Sequence, residues 1–141
     1  MAIGGRIFEL DSTEEGVTPY LKLNLLIGSP DPENNSKCPV EAIIDTGSDF
    51  TLINNSVIEV LGLSWINTKE IEDFYGKTHK IKFYSAKVIL QDVLDQIIEI
   101  GGIDTEPLIG RDIFTTLHML INYPRGVFEL ANSNSYIHPT S

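Results

Sequence analysis

Cysteine is nearly absent: Cys38 is the only one in 141 residues. That excludes an intrachain disulfide and any cysteine-based zinc site. Histidine is sparse too. His79, His118 and His138 lie far apart, with no helical spacing of the kind that ligates a metal. A Cys–His nucleophile pair finds no support either, because Cys38 stands beside Pro39 in a polar stretch. Positive charge is scarce, with 10 Lys and Arg against 20 Asp and Glu, a formal net charge of −10. Such a balance argues against a chain that neutralises a run of phosphates, and equally against docking on anionic membranes. No apolar run approaches the ~20 residues that cross a bilayer. Gly4, Gly5, Arg6 and Glu9 interrupt the segment where a secretory leader has its apolar core. The expectation is a soluble, cytoplasmic protein with no nucleic-acid or membrane partner, whose Asn-x-Ser triplets at Asn34 and Asn54 carry no meaning.

What remains has the composition of an ordinary globular protein, with 42% hydrophobic and 9% aromatic residues. The length suits one core. Residues 20–27 alternate, with Leu21, Leu23, Leu25 and Ile27 on one face, which predicts a half-buried strand. Gly28 to Pro39 reads as a solvated loop and Val40 to Asp45 as a buried strand. The apolar run resumes from Phe50 to Ile53. Asn55 is placed to cap a short helix that Gly62 ends.

Residues 63–72 are ambiguous. Glu72 to Ser85 reads as a long hairpin with Tyr75-Gly76-Lys77 at its tip. Residues 88–90 and 93–100 look like strands, Gly101-Gly102 like a turn, and Pro107 to Gly110 like a short buried strand. Ile113, Phe114, Leu117 and Leu120 fall at helical spacing, with Asp112 suited to the helix dipole. Residues 127–130 make a last strand, and Ala131 to Ser141 a polar, mobile tail. The sum is mainly β, about seven to nine short strands with one or two short helices. Trp65 is expected as a packing anchor, Tyr75 as a solvent-side hairpin residue, and His118 as a surface position on a helix.

One segment stands apart. Asp45-Thr46-Gly47-Ser48-Asp49 puts a carboxylate where a buried strand runs into a sharp turn. Gly47 lets the chain turn with its N–H aimed back at that carboxylate, and leaves no Cβ in the way of a substrate. Thr46 and Ser48 supply hydroxyls that either lock the loop or donate to Asp45. Most Asp-Thr-Gly triplets are only turns. Here apolar strands flank the triplet, and Leu108-Ile109-Gly110-Arg111-Asp112 repeats the apolar-apolar-glycine pattern later in the chain.

The order and spacing of these segments resemble the retropepsin-like aspartic proteases, the single-domain class that includes retroviral proteases. The resemblance runs from about Pro19 to Leu130. It implies a closed acid-protease-like barrel with a flap hairpin, one half of a two-fold symmetric dimer, with residues 1–130 as the domain and 131–141 as a tail. It implies that Asp45 is the catalytic aspartate, and that Thr46 braces the two active-site loops across the dimer. Gly47 and Asp49 would bind the substrate main chain, with Tyr75 and Gly76 near the flap tip. Arg111, after Gly110, would pair with the Asp49 carboxylate and steady the dimer. No cofactor or metal is implied.

Several features depart from the retroviral pattern. Ser48 replaces the usual alanine, the hairpin tip has one glycine, and the loop from Gly28 is longer. The polar end lacks the apolar alternation of an interlocked terminal sheet, a role that residues 1–10 are expected to take over in part.

Hydrolysis through a pair of aspartates needs two, and the chain carries one Asp-Thr-Gly. Asp112 follows its glycine instead of preceding it. A second copy is therefore required, with peptide or protein as substrate. Should Ser48 donate to Asp45, the carboxylate would be held ionised and the activity optimum acidic, moving up in Ser48→Ala. Two other readings stay open: a catalytically silent dimeric peptide-binding or scaffold module of the same fold, and a mere turn in an unrelated β-barrel binder.

Overall fold

A computed structural model describes residues 5–11 and 20–132. Alternation in the sequence becomes strand β2, Lys22–Gly28, which buries Leu23, Leu25 and Ile27 while Lys22 and Asn24 face outward. It pairs antiparallel with β3, Lys37–Ile44, in the register Leu25↔Val40. The expected loop thus ends earlier, and Pro39 lies on β3. Only Ile43 and Ile44 meet a second neighbour, so around Pro39 β3 is an edge strand and tolerates the missing N–H.

Strand β4, Leu52–Asn54, runs into helix α1, Asn55–Leu61. Gly62 ends the helix at φ 62°, a left-handed position suited to glycine. The N-cap residue is Asn54, in extended conformation and without a side-chain cap bond. Asn55, expected as the cap, is already helical and donates its side-chain amide to Asp104 at 2.8 Å.

The ambiguous segment becomes β5, Trp65–Glu72. It forms a hairpin with the long strand β6, Thr78–Leu90, from Glu72↔Thr78 at the tip to Trp65↔Tyr84. Gly76 turns the tip at φ 79°. Trp65 is not a core anchor. It is 60% exposed, lies under the Lys82 ammonium, and donates its indole N–H to the Asn67 carbonyl. Its place at the start of an outer strand keeps it at the surface.

Strand β7, Leu94–Ile103, carries Gly101 and Gly102 inside it, where a turn is expected from the sequence. They lie beside Leu52 and Ile53 of β4, which runs parallel. A Cβ on Gly101 would overlap the Leu52 side chain, and one on Gly102 the Asn55 side chain. These glycines permit close packing and do not turn the chain.

After β8, Leu108–Ile109, helix α2 covers only Arg111–Phe114. Residues expected to prolong it form β9, Leu117–Asn122, so His118 lies on a strand. The chain turns at Tyr123 to Gly126 into β10, Val127–Asn132, which pairs with β9 in the register Leu120↔Glu129. Leu117, Met119 and Ile121 alternate onto one face there, and cross-strand pairing overrides the helical spacing. On the other side of β10 lies β1, Gly5–Glu9, with Phe8↔Phe128. The N-terminal segment thus completes a sheet with its own chain. Ala131 is buried and Asn132 closes β10; the rest of the expected tail lies outside the described residues.

The larger sheet has the order β2-β3-β8-β4-β7-β6-β5, and β2 also pairs with β6. Six strands therefore close a barrel, and β5 extends from it along β6. Leu25, Ile27, Ile53, Val88, Ile100 and Ile109 fill the interior. The sheet β1-β10-β9 packs Phe128 and Leu130 onto the same core. The mainly β, closed barrel with a long hairpin and two short helices is the architecture expected from the sequence.

Candidate active site

Strand β8 is the organising element. It pairs parallel with β3 and antiparallel with β4, and so lies between two strands joined by residues 45–51. The loop leaves β3 where the Asp45 N–H donates to the Ile109 carbonyl at 2.8 Å. It turns through a bond from the Ser48 N–H to the Asp45 carbonyl at 3.1 Å. The Gly47 N–H donates to the Asp45 carboxylate at 3.0 Å. Asp45, Thr46 and Gly47 are all exposed on the rim. A carboxylate at the end of a greasy strand is thereby turned out of the core.

The two glycine segments are tied together behind it. The Arg111 N–H donates to the Ser48 carbonyl at 2.9 Å, and its guanidinium donates to the Thr46 carbonyl at 2.8 Å. The guanidinium also pairs with the Asp49 carboxylate. Gly110 passes under the Phe50 backbone so closely that a Cβ would stand 2.5 Å from the Phe50 carbonyl carbon. No side chain fits there. The pairing of Arg111 with Asp49 expected from the resemblance is present within one chain.

Ser48 serves the loop and not the carboxylate. Its hydroxyl donates to the Phe50 carbonyl at 2.8 Å and accepts from the Phe50 N–H at 3.3 Å. Of the two roles open to it in the sequence, locking the loop is the one it takes, because the turn points its Oγ forward along the chain.

The junction between Thr51 and Asp112 escaped the sequence reading. Thr51 is fully buried. Its hydroxyl donates to the Asp112 carboxylate at 2.7 Å and accepts the Gly110 N–H at 3.1 Å. Its own N–H donates to the other Asp112 oxygen at 3.0 Å. The only signal was a hydroxyl placed inside the apolar run Phe50–Ile53. Asp112 also accepts the Ile113 N–H at 3.0 Å, the dipole role expected of it.

The tip of the β5–β6 hairpin stands exposed. Phe74 and Tyr75 stack edge to face there, with ring centroids 5.9 Å apart, and are exposed almost entirely. Asp73 arranges the tip. One carboxylate oxygen accepts the Tyr75 and Lys77 N–H groups, both at 2.9 Å, and the other meets His79 Nε2 at 2.7 Å. The His79 hydrogen bond, followed by the Lys77 amide, holds the Asp73 carboxyl below the usual carboxylate range. At the base of the hairpin the Lys69 ammonium lies over the Phe50 and Phe83 rings, at 4.4 and 4.5 Å, and pairs with Glu99. That bridges β5 to the loop carrying Asp45.

Among the described residues no group of His, Cys, Asp and Glu is placed to hold a metal ion, and no helix is long and apolar enough to cross a membrane.

Compared with solved structures, the chain is similar to a retropepsin-like aspartic protease from Rickettsia conorii. The two share 13% identity and a TM-score of 0.60, over 92% of each chain. It is also similar to EIAV protease complexed with the inhibitor HBY-793, at 14% identity and a TM-score of 0.48, over 72% of this chain and 91% of that one. No family model matches the sequence, and no curated protein does.

Proposed function

We propose that this chain, which has the retropepsin-like fold, is a homodimeric aspartic endopeptidase. One observation carries the reading. Asp45 presents its carboxylate outward from a loop that backbone bonds and Arg111 hold rigid. That is the posture a reacting group needs, open to solvent and held in place from behind.

Water attack on a peptide needs a base for the water and an acid for the carbonyl oxygen. Two carboxylates about 3 Å apart supply both, because they cannot both ionise and share one proton; aspartic proteases are the standing example of this effect. A second Asp45, from another copy across a two-fold axis, is the partner. One Asp45 takes the water's proton while the other protonates the carbonyl oxygen. The tetrahedral intermediate collapses as the leaving nitrogen is protonated. Thr46, next to Asp45, would brace the two loops against each other. Gly47 and Asp49 offer main-chain contacts to an extended peptide, and the β5–β6 hairpin, with Tyr75 and Gly76 at its tip, covers it as a flap. No cofactor enters the reaction.

The test is Asp45→Asn against a casein-derived peptide, alongside sedimentation of both proteins. The substitution should abolish cleavage and leave the dimer in place. Cleavage that survives it, or cleavage by a strictly monomeric protein, would refute the proposal.

A further inference from the structure

The Asp45 carboxylate does not stand on a flat surface. It shares a depression of about 220 Å³ with Ile43, Ile44, Pro107, Leu108 and Glu106. Two strands build it. Ile43 lies opposite Leu108 in the parallel pair β3–β8, and the Ile43 N–H donates to the Pro107 carbonyl at 3.2 Å. The floor is therefore aliphatic and rigid. Glu106 comes immediately before Pro107, whose ring holds the preceding residue extended. That sets Glu106 at the rim. Its side chain is exposed, and it makes no hydrogen bond or ion pair among the described residues. Other acidic groups near the site are occupied: Asp49 by Arg111, Asp112 by Thr51, and Asp104 by Asn55.

We infer that Glu106 selects a basic side chain, lysine or arginine, beside the peptide bond that Asp45 cleaves. This deepens the protease reading and rests on it. A long side chain lays its methylenes on Ile43 and Leu108 and brings its charged head to Glu106 at the mouth. A shorter or acidic side chain gains one of these contacts or neither. Each copy of the chain brings one such depression. Two-fold symmetry then places one Glu106 on each side of the paired aspartates, so the preference applies on both flanks of the cut.

The experiment compares peptides that differ at one flanking position: lysine, norleucine, which is lysine without its ammonium, or glutamate. Cleavage by the native protein and by Glu106→Gln and Glu106→Lys is measured as kcat/KM. Binding of the same peptides to Asp45→Asn, and to Asp45→Asn carrying Glu106→Gln, is measured by fluorescence anisotropy.

The lysine peptide should exceed the norleucine peptide by about fivefold, the upper value for a partly exposed ion pair. The ratio should fall toward one in Glu106→Gln and at high salt, and Glu106→Lys should prefer glutamate. Cleavage without that preference, or a preference that Glu106→Gln keeps, overturns the role of Glu106 and leaves the protease reading standing. Absence of cleavage, together with Glu106-dependent binding of the lysine peptide, supports the basic subsite and defeats the protease reading. Absence of both defeats the two together.

Discussion

The Thr51 hydroxyl reaches the Asp112 carboxylate at 2.7 Å across 61 residues of chain, and the same oxygen receives the Gly110 N–H. This junction welds the loop that carries Asp45 to the segment that carries Arg111. Thr51 is fully buried and Asp112 half-buried, so each bond counts for more than at the surface, and each lost partner leaves a group poorly satisfied.

Thr51→Val keeps the shape and removes the hydroxyl. The Gly110 N–H then loses its acceptor and Asp112 loses one donor. The expected destabilisation is about 1–3 kcal/mol, read from the midpoint of urea unfolding. Asp112→Asn should also destabilise, because one amide oxygen cannot serve both the Thr51 N–H and the Ile113 N–H that the two carboxylate oxygens accept. Equal stability of Thr51→Val and the native chain would show that the junction is not what holds the loops.

How far the sequence reveals this site differs from residue to residue. Asp45, Gly47, Gly110 and Arg111 are legible because the backbone needs them locally: a turn after a buried strand, and a passage too narrow for a side chain. Leu23, Leu25 and Ile27 announce β2 by alternation alone. The Thr51–Asp112 bond has no local signature, since its partners meet only once β8 lies between β3 and β4. The same is true of Gly101 and Gly102, whose need for close packing arises from the neighbouring strand β4 and not from their own segment. Leu117 and Leu120 misled for a related reason: over so short a stretch helical spacing and strand alternation overlap, and pairing with β10 decides between them.

Ser48 makes no hydrogen bond to the Asp45 carboxylate, against the simplest expectation. Its Oγ bonds both the carbonyl and the N–H of Phe50, so removing it takes no donor from the Asp45 carboxylate. Ser48→Ala should therefore leave the pH–rate optimum where it is and cost about 1 kcal/mol of stability. Paired measurements of the pH profile and of urea unfolding check both halves. An optimum that moves upward would place the hydroxyl on Asp45 during turnover.

The proposed dimerisation has to overcome charge. Each copy carries a formal −10, and the proposed interface brings two exposed Asp45 side chains together. Screening acts over about 8 Å at physiological ionic strength, so added salt should strengthen association. Acidification should do the same by allowing the pair to share a proton. Sedimentation equilibrium should give a mass that rises with salt at fixed protein concentration. Asp45→Asn should associate more tightly than the native chain at low salt. A dimer that weakens with salt would mean that ion pairs between copies outweigh the net repulsion.

The hairpin tip makes a separate prediction about pH. Asp73 accepts the Tyr75 and Lys77 N–H groups most strongly as a carboxylate, and its acidity is enhanced first by His79 and then by the Lys77 amide. A carboxyl held below its unfolded value contributes order above that value, and loses it as pH falls through the lower, folded value. The tip should therefore stay arranged at neutral and mildly acidic pH, and loosen only below the usual carboxylate range. Glu72, beside Gly76, and Lys77 are the other charged groups at the tip. Hydrogen exchange at the Tyr75 and Lys77 amides, corrected for intrinsic rates, reads this directly. Protection should hold from neutral pH down to mild acid and then decline. Asp73→Ala should exchange faster at every pH, and His79→Ala should move the decline upward. Protection that is indifferent to Asp73→Ala would show that the backbone turn at Gly76 orders the tip without its carboxylate.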